Sequence, residues 1–312
     1  MKLSDAIEQY ITYRQSLGYK FKSTATALRC FVKYLNSDLD LRLITEQLTT
    51  AYLYSPRDIV TRNWFLKHSA LKCFFEWAIA RNLLNSMPLT SIMPKYPEPP
   101  RPYIYSDYEL KSIFKMAGEY KMGQMTIPPE CIRMVLQITY FLGLRIHETL
   151  SLKIKDINLE ESYAVIRDTK CFKSRITPFN EIVKNLLINF LAWRKVQNLD
   201  QQPESVLFSN MAGLPLKGDA IRAKFRQILK LTGVKNNNGP APRIHDLRHT
   251  FAVNRLVAWY NEGRDVQILL PQLSTFLGHA KISDTSLYLS MTDALLGSAN
   301  ERFERYANTF IQ

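Results

Sequence analysis

Five prolines fall within nine residues at positions 94–102, PKYPEPPRP, and no other stretch constrains the fold as strongly. Proline lacks the N–H that helices and sheets use and clashes with a helix running through it, so regular structure stops on either side. The segment predicts an extended linker at 94–103, with one domain over 1–93 and another over 104–312. A chain of 312 residues has room for two domains of about 100–200 residues each.

The two sides differ in pattern. Before the prolines the chain reads as all-helical. Ser4 is placed to cap a helix with Ile7, Tyr10, Ile11 and Leu17 at helical spacing, and Thr24 to open one with Leu28, Phe31, Val32 and Leu35. A third helix is expected from about Asp58 to Asn82. Its stripe of Ile59, Trp64, Leu71, Phe74, Phe75, Trp77 and Ala78 reads as core, since aromatics at helical spacing are far more often packing than a binding site. After the prolines, Ser106 and Glu109 form an S-x-x-E capping box for a helix to about Met116. Pro128 and Pro129 open another towards Gly143. ESYAVIRD and SRITPFN predict two strands, followed by helices near 180–196 and 218–231, a loop over 232–242, and helix almost to the end. The fold class expected is mainly α with a small antiparallel β-sheet.

Hydrophobic residues make up 46% of the chain, enough for packed cores. The formal net charge is +13, which points to a polyanionic partner, although a basic enzyme with a small substrate also fits. Residues 1–100 hold 13 Lys and Arg against 8 Asp and Glu, and the remainder holds 28 against 20. Charge spread over both halves favours one long polyanion over a membrane patch. Cys30, Cys73, Cys131 and Cys171 show no C-x-x-C or ligand-spaced histidine, so neither zinc nor a disulfide framework is expected. No signal-type segment opens the chain, and no apolar run approaches the ~20 residues that span a bilayer. The expected location is cytoplasmic.

Four blocks then recur in order. The first is Gly143-Leu144-Arg145-Ile146-His147-Glu148. The second is Thr169-Lys170, followed by Lys173-Ser174-Arg175 and Pro178. The third is His245-Asp246-Leu247-Arg248-His249-Thr250-Phe251-Ala252. The last is Leu277-Gly278-His279, with Tyr288 nine residues after the histidine. Together they resemble the tyrosine recombinases, or phage-integrase family, over residues 105–292. The N-terminal part is similar only in being a small helical domain. His147-Glu148 also begins the zinc motif H-E-x-x-H, but residue 151 is Ser.

The resemblance implies a fold and a chemistry. The fold is an all-α core-binding (SAM-like) domain joined to an α+β catalytic domain. The catalytic set is Arg145, Lys170, His245, Arg248, His279 and Tyr288, with Glu148 supporting Arg145, and no metal or other cofactor. Tyr288 would attack a DNA phosphate and form a 3′-phosphotyrosyl bond, which conserves the phosphodiester energy so that religation needs no ATP. Arginines suit the charge that builds on the non-bridging oxygens, because the guanidinium fork donates two hydrogen bonds and stays charged. Lys170, preferred over Lys173, would protonate the leaving 5′-oxygen. His245 would accept or relay the tyrosine proton and His279 would bind the phosphate. Asp246 and His249 read as packing or supporting residues.

Lys20, Lys22, Lys33, Lys67, Lys72, Lys173, Arg175 and Arg243 are candidates for gripping the DNA backbone. The implied partners are double-stranded DNA with paired recombination sites and three further copies of the chain in a tetramer passing through a Holliday junction, with room for accessory DNA-bending or partner recombinase proteins. The expected setting is bacterial, in a mobile element. Leu295, Leu296, Phe303 and Tyr306 in the C-terminal segment are candidates for docking on a neighbouring protomer. The chain opens almost directly on the helical domain, which reads as a recombinase without an arm-binding domain. A type IB topoisomerase-like relaxing enzyme and an inactive DNA-binding regulator are the alternatives.

Overall fold

A computed structural model describes residues 1–35, 39–55, 58–98, 100–119, 127–167, 174–237 and 239–290. The chain divides into two compact units, Met1–Pro99 and Pro100–Gln312. Among the described residues no helix is long and apolar enough to cross a membrane.

The first unit is helical: α1 (Leu3–Ser16), α2 (Lys22–Leu35), α3 (Glu46–Tyr54) and α4 (Arg62–Ile79). Helix α1 is not started by Ser4. Its N-cap is Lys2 without a side-chain cap. A tether replaces the cap: Leu3 N donates to Leu39 O at 2.9 Å and the Met1 ammonium to Asp40 Oδ2 at 2.9 Å. Helix α2 begins at Lys22, two residues ahead of Thr24. The aromatic stripe of α4 is core. Trp64, Phe74 and Phe75 are buried, and Tyr10 of α1 packs on Phe74 and Trp77 with ring centroids 5.7 and 5.3 Å apart. Ile59 and Leu17 instead lie beyond the helix ends and are exposed.

Lys67 corrects an expectation. It is only 7% exposed, and its Nζ donates to Tyr52 O at 2.8 Å and Ser55 O at 2.7 Å, at the open C-terminal end of α3. A cation on unpaired helix-end carbonyls satisfies both partners. Lys67 thus fastens α4 to α3 rather than facing a nucleic acid. Lys20, Lys22, Lys33 and Lys72 are exposed, and Lys72 stands 3.9 Å from Glu76.

The second unit opens with α5 (Asp107–Glu119), where Ser106 and Glu109 bond reciprocally. Then come α6 (Pro129–Phe141), α7 (Ile146–Ser151), β1 (Ile157–Asn158), β2 (Tyr163–Ile166), β3 (Arg175–Pro178), α8 (Glu181–Val196), α9 (Gly218–Thr232), α10 (Ile244–Asn261), α11 (Val266–Leu277) and α12 (Ser283–Ser286), with a 3-10 turn at Leu287–Ser290. The unit is mainly helical with one small antiparallel sheet, ordered β1-β2-β3. Strand β1 is only two residues long. Helix α6 is central, packed by α5, α7, α8 and α10, with Ile132, Val135, Leu136 and Ile138 buried. Burying each such side chain contributes about 1.5–3 kcal/mol.

Sheet register decides the fate of Arg175. It pairs with Ile166, and Thr177 pairs with Ala164. Facing residues share a side of the sheet. Ala164, Ile166 and Thr177 are buried while Ile176 is 63% exposed, so Arg175 points inward.

Two glycines end helices at the places from which Arg145 and His279 project. After α6, Gly143 adopts φ 58°, with Gly143 N bonded to Tyr140 O and Leu144 N to Thr139 O, both 3.0 Å. After α11, Gly278 adopts φ 70°, with Gly278 N to Thr275 O and His279 N to Ser274 O, both 3.0 Å. Each is a Schellman termination, which favours glycine in the left-handed region. A Cβ on Gly143 would lie 2.7 Å from Phe251 Cδ1 and 2.8 Å from Leu277 Cδ2. We expect Gly143→Ala to destabilise the chain by about 2 kcal/mol or more, from the left-handed backbone and the crowding together. Urea denaturation measures it, and an unchanged midpoint would contradict this packing.

Candidate active site

The site is organised on one carboxylate. Glu148, on the first turn of α7, is 1% exposed. Its Oε2 accepts from Arg145 N at 2.9 Å and its Oε1 from Arg145 Nη1 at 2.9 Å. Arg175 adds a fork, Nη1 to Oε1 at 3.2 Å and Nη2 to Oε2 at 2.9 Å. Arg248 Nη1 stands 3.9 Å from the same carboxylate. Burial works against the Glu148 charge, yet Arg175 and Arg145 hold its carboxyl down at about 2.

The other acceptors are backbone carbonyls at helix ends. Arg248, on α10 and 1% exposed, donates to Gly143 O at 2.8 Å and Leu277 O at 2.7 Å. Arg145 Nη2 donates to Gly278 O at 3.3 Å, and Arg175 Nε to Phe276 O at 2.9 Å. Helix C-termini carry partial negative charge, so they receive guanidinium groups well. Burial and nearby Arg145 bring Arg248 down to about 10, which leaves it charged at neutral pH. Three guanidinium groups thus surround one carboxylate, and the site keeps a net positive charge.

Tyr288 sits against this cluster. It lies in the 3-10 turn after α12, is 2% exposed, and packs with Ala252, Leu256, Leu273 and Leu277 of α10 and α11. Burial raises its pKa above 10, while the Arg248 charge pulls the other way. Its hydroxyl lies 3.0 Å from His249 Nδ1. The His279 ring stacks on the Tyr288 ring with centroids 6.1 Å apart, and His279 Nδ1 is hydrogen-bonded to Thr285 Oγ1 at 2.7 Å. His245, one helical turn before His249 on α10, is exposed, its ring edge-to-face with His249 at 4.6 Å. Burial and then neighbouring cations lower all three histidines: His279 to about 4, His249 to about 3, and His245 likewise below 6.5.

The structure therefore brings together Arg145, Glu148, Arg248, His279 and Tyr288, with His245 at the exposed rim. Lys170 and Lys173 lie outside the described residues, as do Leu295, Leu296, Phe303 and Tyr306. Arg175 is corrected. Read from sequence as a candidate DNA-backbone contact, it is turned inward by strand register and spends its donors on Glu148 and Phe276 O. Arg243 remains half exposed but pairs with Asp246, whose carboxylate also accepts from Arg243 N and so opens α10. His249, expected in a packing or supporting role, touches the Tyr288 hydroxyl. Its four-residue spacing from His245 was the available signal, since that spacing shares a helix face. Among the described residues no group of His, Cys, Asp and Glu is arranged to hold a metal.

The model of the phage integrase family matches residues 109–294. A Sinorhizobium fredii chain named integrase/recombinase y4rE is 30% identical, over 96% of this chain and 95% of its own length. The chain belongs to the phage integrase family, the tyrosine recombinases. A second chain of that organism, named integrase/recombinase y4rB, is 29% identical over 96% of each chain. The tyrosine recombinase XerC of Pediococcus pentosaceus is 24% identical over 98% of each. Among solved structures, a lambda integrase dimer bound to a core site superposes with TM-score 0.69 at 18% identity, over 92% of this chain and 77% of that one. The Tn1549 transposon integrase with a circular intermediate DNA gives TM-score 0.68 at 17% identity, over 98% and 99%. These two likenesses establish a shared fold.

For this integrase-family chain the Glu148 cluster makes a stability prediction. Its folded pKa of about 2 lies below the ordinary 4.5. The cluster's stabilisation is therefore present above pH 4.5 and lost as pH falls towards 2. Glu148→Gln leaves buried arginines without a counter-charge, so we expect a loss of about 3–5 kcal/mol at neutral pH and a shallower slope of stability below pH 4.5. Urea midpoints across that range for both chains would contradict this reading if the slopes coincide.

Proposed function

We propose that this chain is a site-specific DNA recombinase in which Tyr288 attacks a DNA phosphate and forms a 3′-phosphotyrosyl intermediate. The observation that carries the reading is the phenol hydroxyl of Tyr288 held beside Arg248 and His249, at a site where three arginines share one carboxylate. Cleavage of a phosphodiester passes through a state with added charge on the non-bridging oxygens, and fixed guanidinium groups meet that charge without reorganising. Arg145 and Arg248 fill this role, His279 adds a donor, and Lys170 is the general acid for the leaving 5′-oxygen. The net charge of +13 suits a DNA partner, as do the solved relatives bound to DNA. Tetramer formation, a Holliday-junction intermediate, and action in the integration, excision, resolution or transposition of DNA belong to the same proposal.

The test is covalent capture. Purified chain is mixed with a pool of nicked duplexes of randomised sequence, in which cleavage releases a short fragment and traps the adduct. We expect the wild-type chain to select a sequence and carry it covalently, and Tyr288→Phe to form at least a thousandfold less adduct. Absence of any wild-type adduct, or equal capture by Tyr288→Phe, would overturn the proposal. Relaxation of supercoiled plasmid without selection of a sequence would favour a topoisomerase instead.

A further inference from the structure

We propose that His249, the residue directly after the arginine of the H-x-x-R segment, is the base that receives the Tyr288 proton during strand cleavage. The inference rests on the reading that Tyr288 attacks DNA.

Three histidines lie near the phenol, and geometry separates them. His249 Nδ1 is 3.0 Å from the Tyr288 hydroxyl. His279 has its Nδ1 engaged by Thr285 Oγ1 at 2.7 Å and presents its ring face to the tyrosine ring. The His245 ring meets the His249 ring instead, edge to face at 4.6 Å. His245 is exposed, while His249 is half-buried between it and the phenol. Burial, with the Arg248 charge close by, keeps His249 in its neutral form. A neutral imidazole has one nitrogen free to accept, and with the proton on Nε2 that nitrogen is Nδ1. An arriving phosphate brings negative charge next to the ring, which raises its affinity for a proton at the moment of attack.

The step balances. The Tyr288 O–H bond breaks and its proton passes to His249 Nδ1. The phenolate oxygen bonds to phosphorus as the bond from phosphorus to the 5′-oxygen breaks. The departing oxygen takes a proton from a lysine ammonium, the role the proposed function gives to Lys170. In religation His249 returns its proton to the phenolate.

The experiment uses a duplex captured by the wild-type chain, in two forms: an ordinary phosphodiester, and a 5′-bridging phosphorothiolate whose sulfur leaves without protonation. His249→Asn keeps an acceptor oxygen near the Nδ1 position but cannot take the proton. Single-turnover cleavage by His249→Asn should fall by about a hundredfold or more on both substrates, with DNA affinity within about threefold of wild type. Lys170→Ala should recover on the phosphorothiolate. Cleavage by His249→Asn within threefold of wild type, or recovery on the phosphorothiolate, would overturn the assignment. A second measurement needs no variant of His249. The nitrogen resonance of His249 Nδ1 in the wild-type chain should report an unprotonated acceptor that shifts in Tyr288→Phe, and a protonated Nδ1 would overturn it. If the wild-type chain captured no DNA, the proposed function would fail while the resonance still answered the question about His249.

Discussion

The whole site depends on the ion pairing of Glu148. Arg145 precedes α7, and Arg175 and Arg248 come from β3 and α10, so no single helix or sheet gathers these three like charges at one point. The carboxylate is bonded by two of them and lies 3.9 Å from the third. Two helix ends complete the arrangement: carbonyls of Gly143, Phe276, Leu277 and Gly278 accept further guanidinium donors. The Schellman glycines therefore do two jobs. They stop α6 and α11, and they turn those carbonyls towards the arginines.

Under the proposed function, this arrangement would let fixed side-chain charge meet a phosphate. Positive charge that is fixed before substrate arrives stabilises an anionic transition state without reorganisation. Here the arginines are fixed by acceptors other than the substrate, and one carboxylate against three guanidinium groups leaves an excess that an anion can satisfy. Tyr288 is seated among apolar residues of α10 and α11. Its packing is therefore hydrophobic while its hydroxyl faces the charged cluster.

Much of this was legible in the chain itself. The five prolines lie where the two compact units meet in sequence, and the capping pair Ser106 and Glu109 opens α5. The four motif blocks held the residues that converge, because each block is local and its glycines signal helix ends. What was not legible depended on long-range geometry. The inward turn of Arg175 follows from a register with β2 that no local pattern states. The burial of Lys67 follows from the end of α3, whose carbonyls meet it fifteen and twelve residues away in sequence. The contact of His249 with Tyr288 joins residues 39 apart in sequence, and only the packing of the turn after α12 against α10 brings them together.

In the proposed reaction Tyr288 is the nucleophile and the Glu148-organised arginines receive the charge. A crystal structure of the chain with a DNA duplex broken at the cleavage position and vanadate bridging the gap tests it most directly. Vanadium should be bonded to Tyr288 Oη, with equatorial oxygens accepting hydrogen bonds from Arg145 and Arg248. Vanadate bonded to another side chain, or seated away from these arginines, would contradict it.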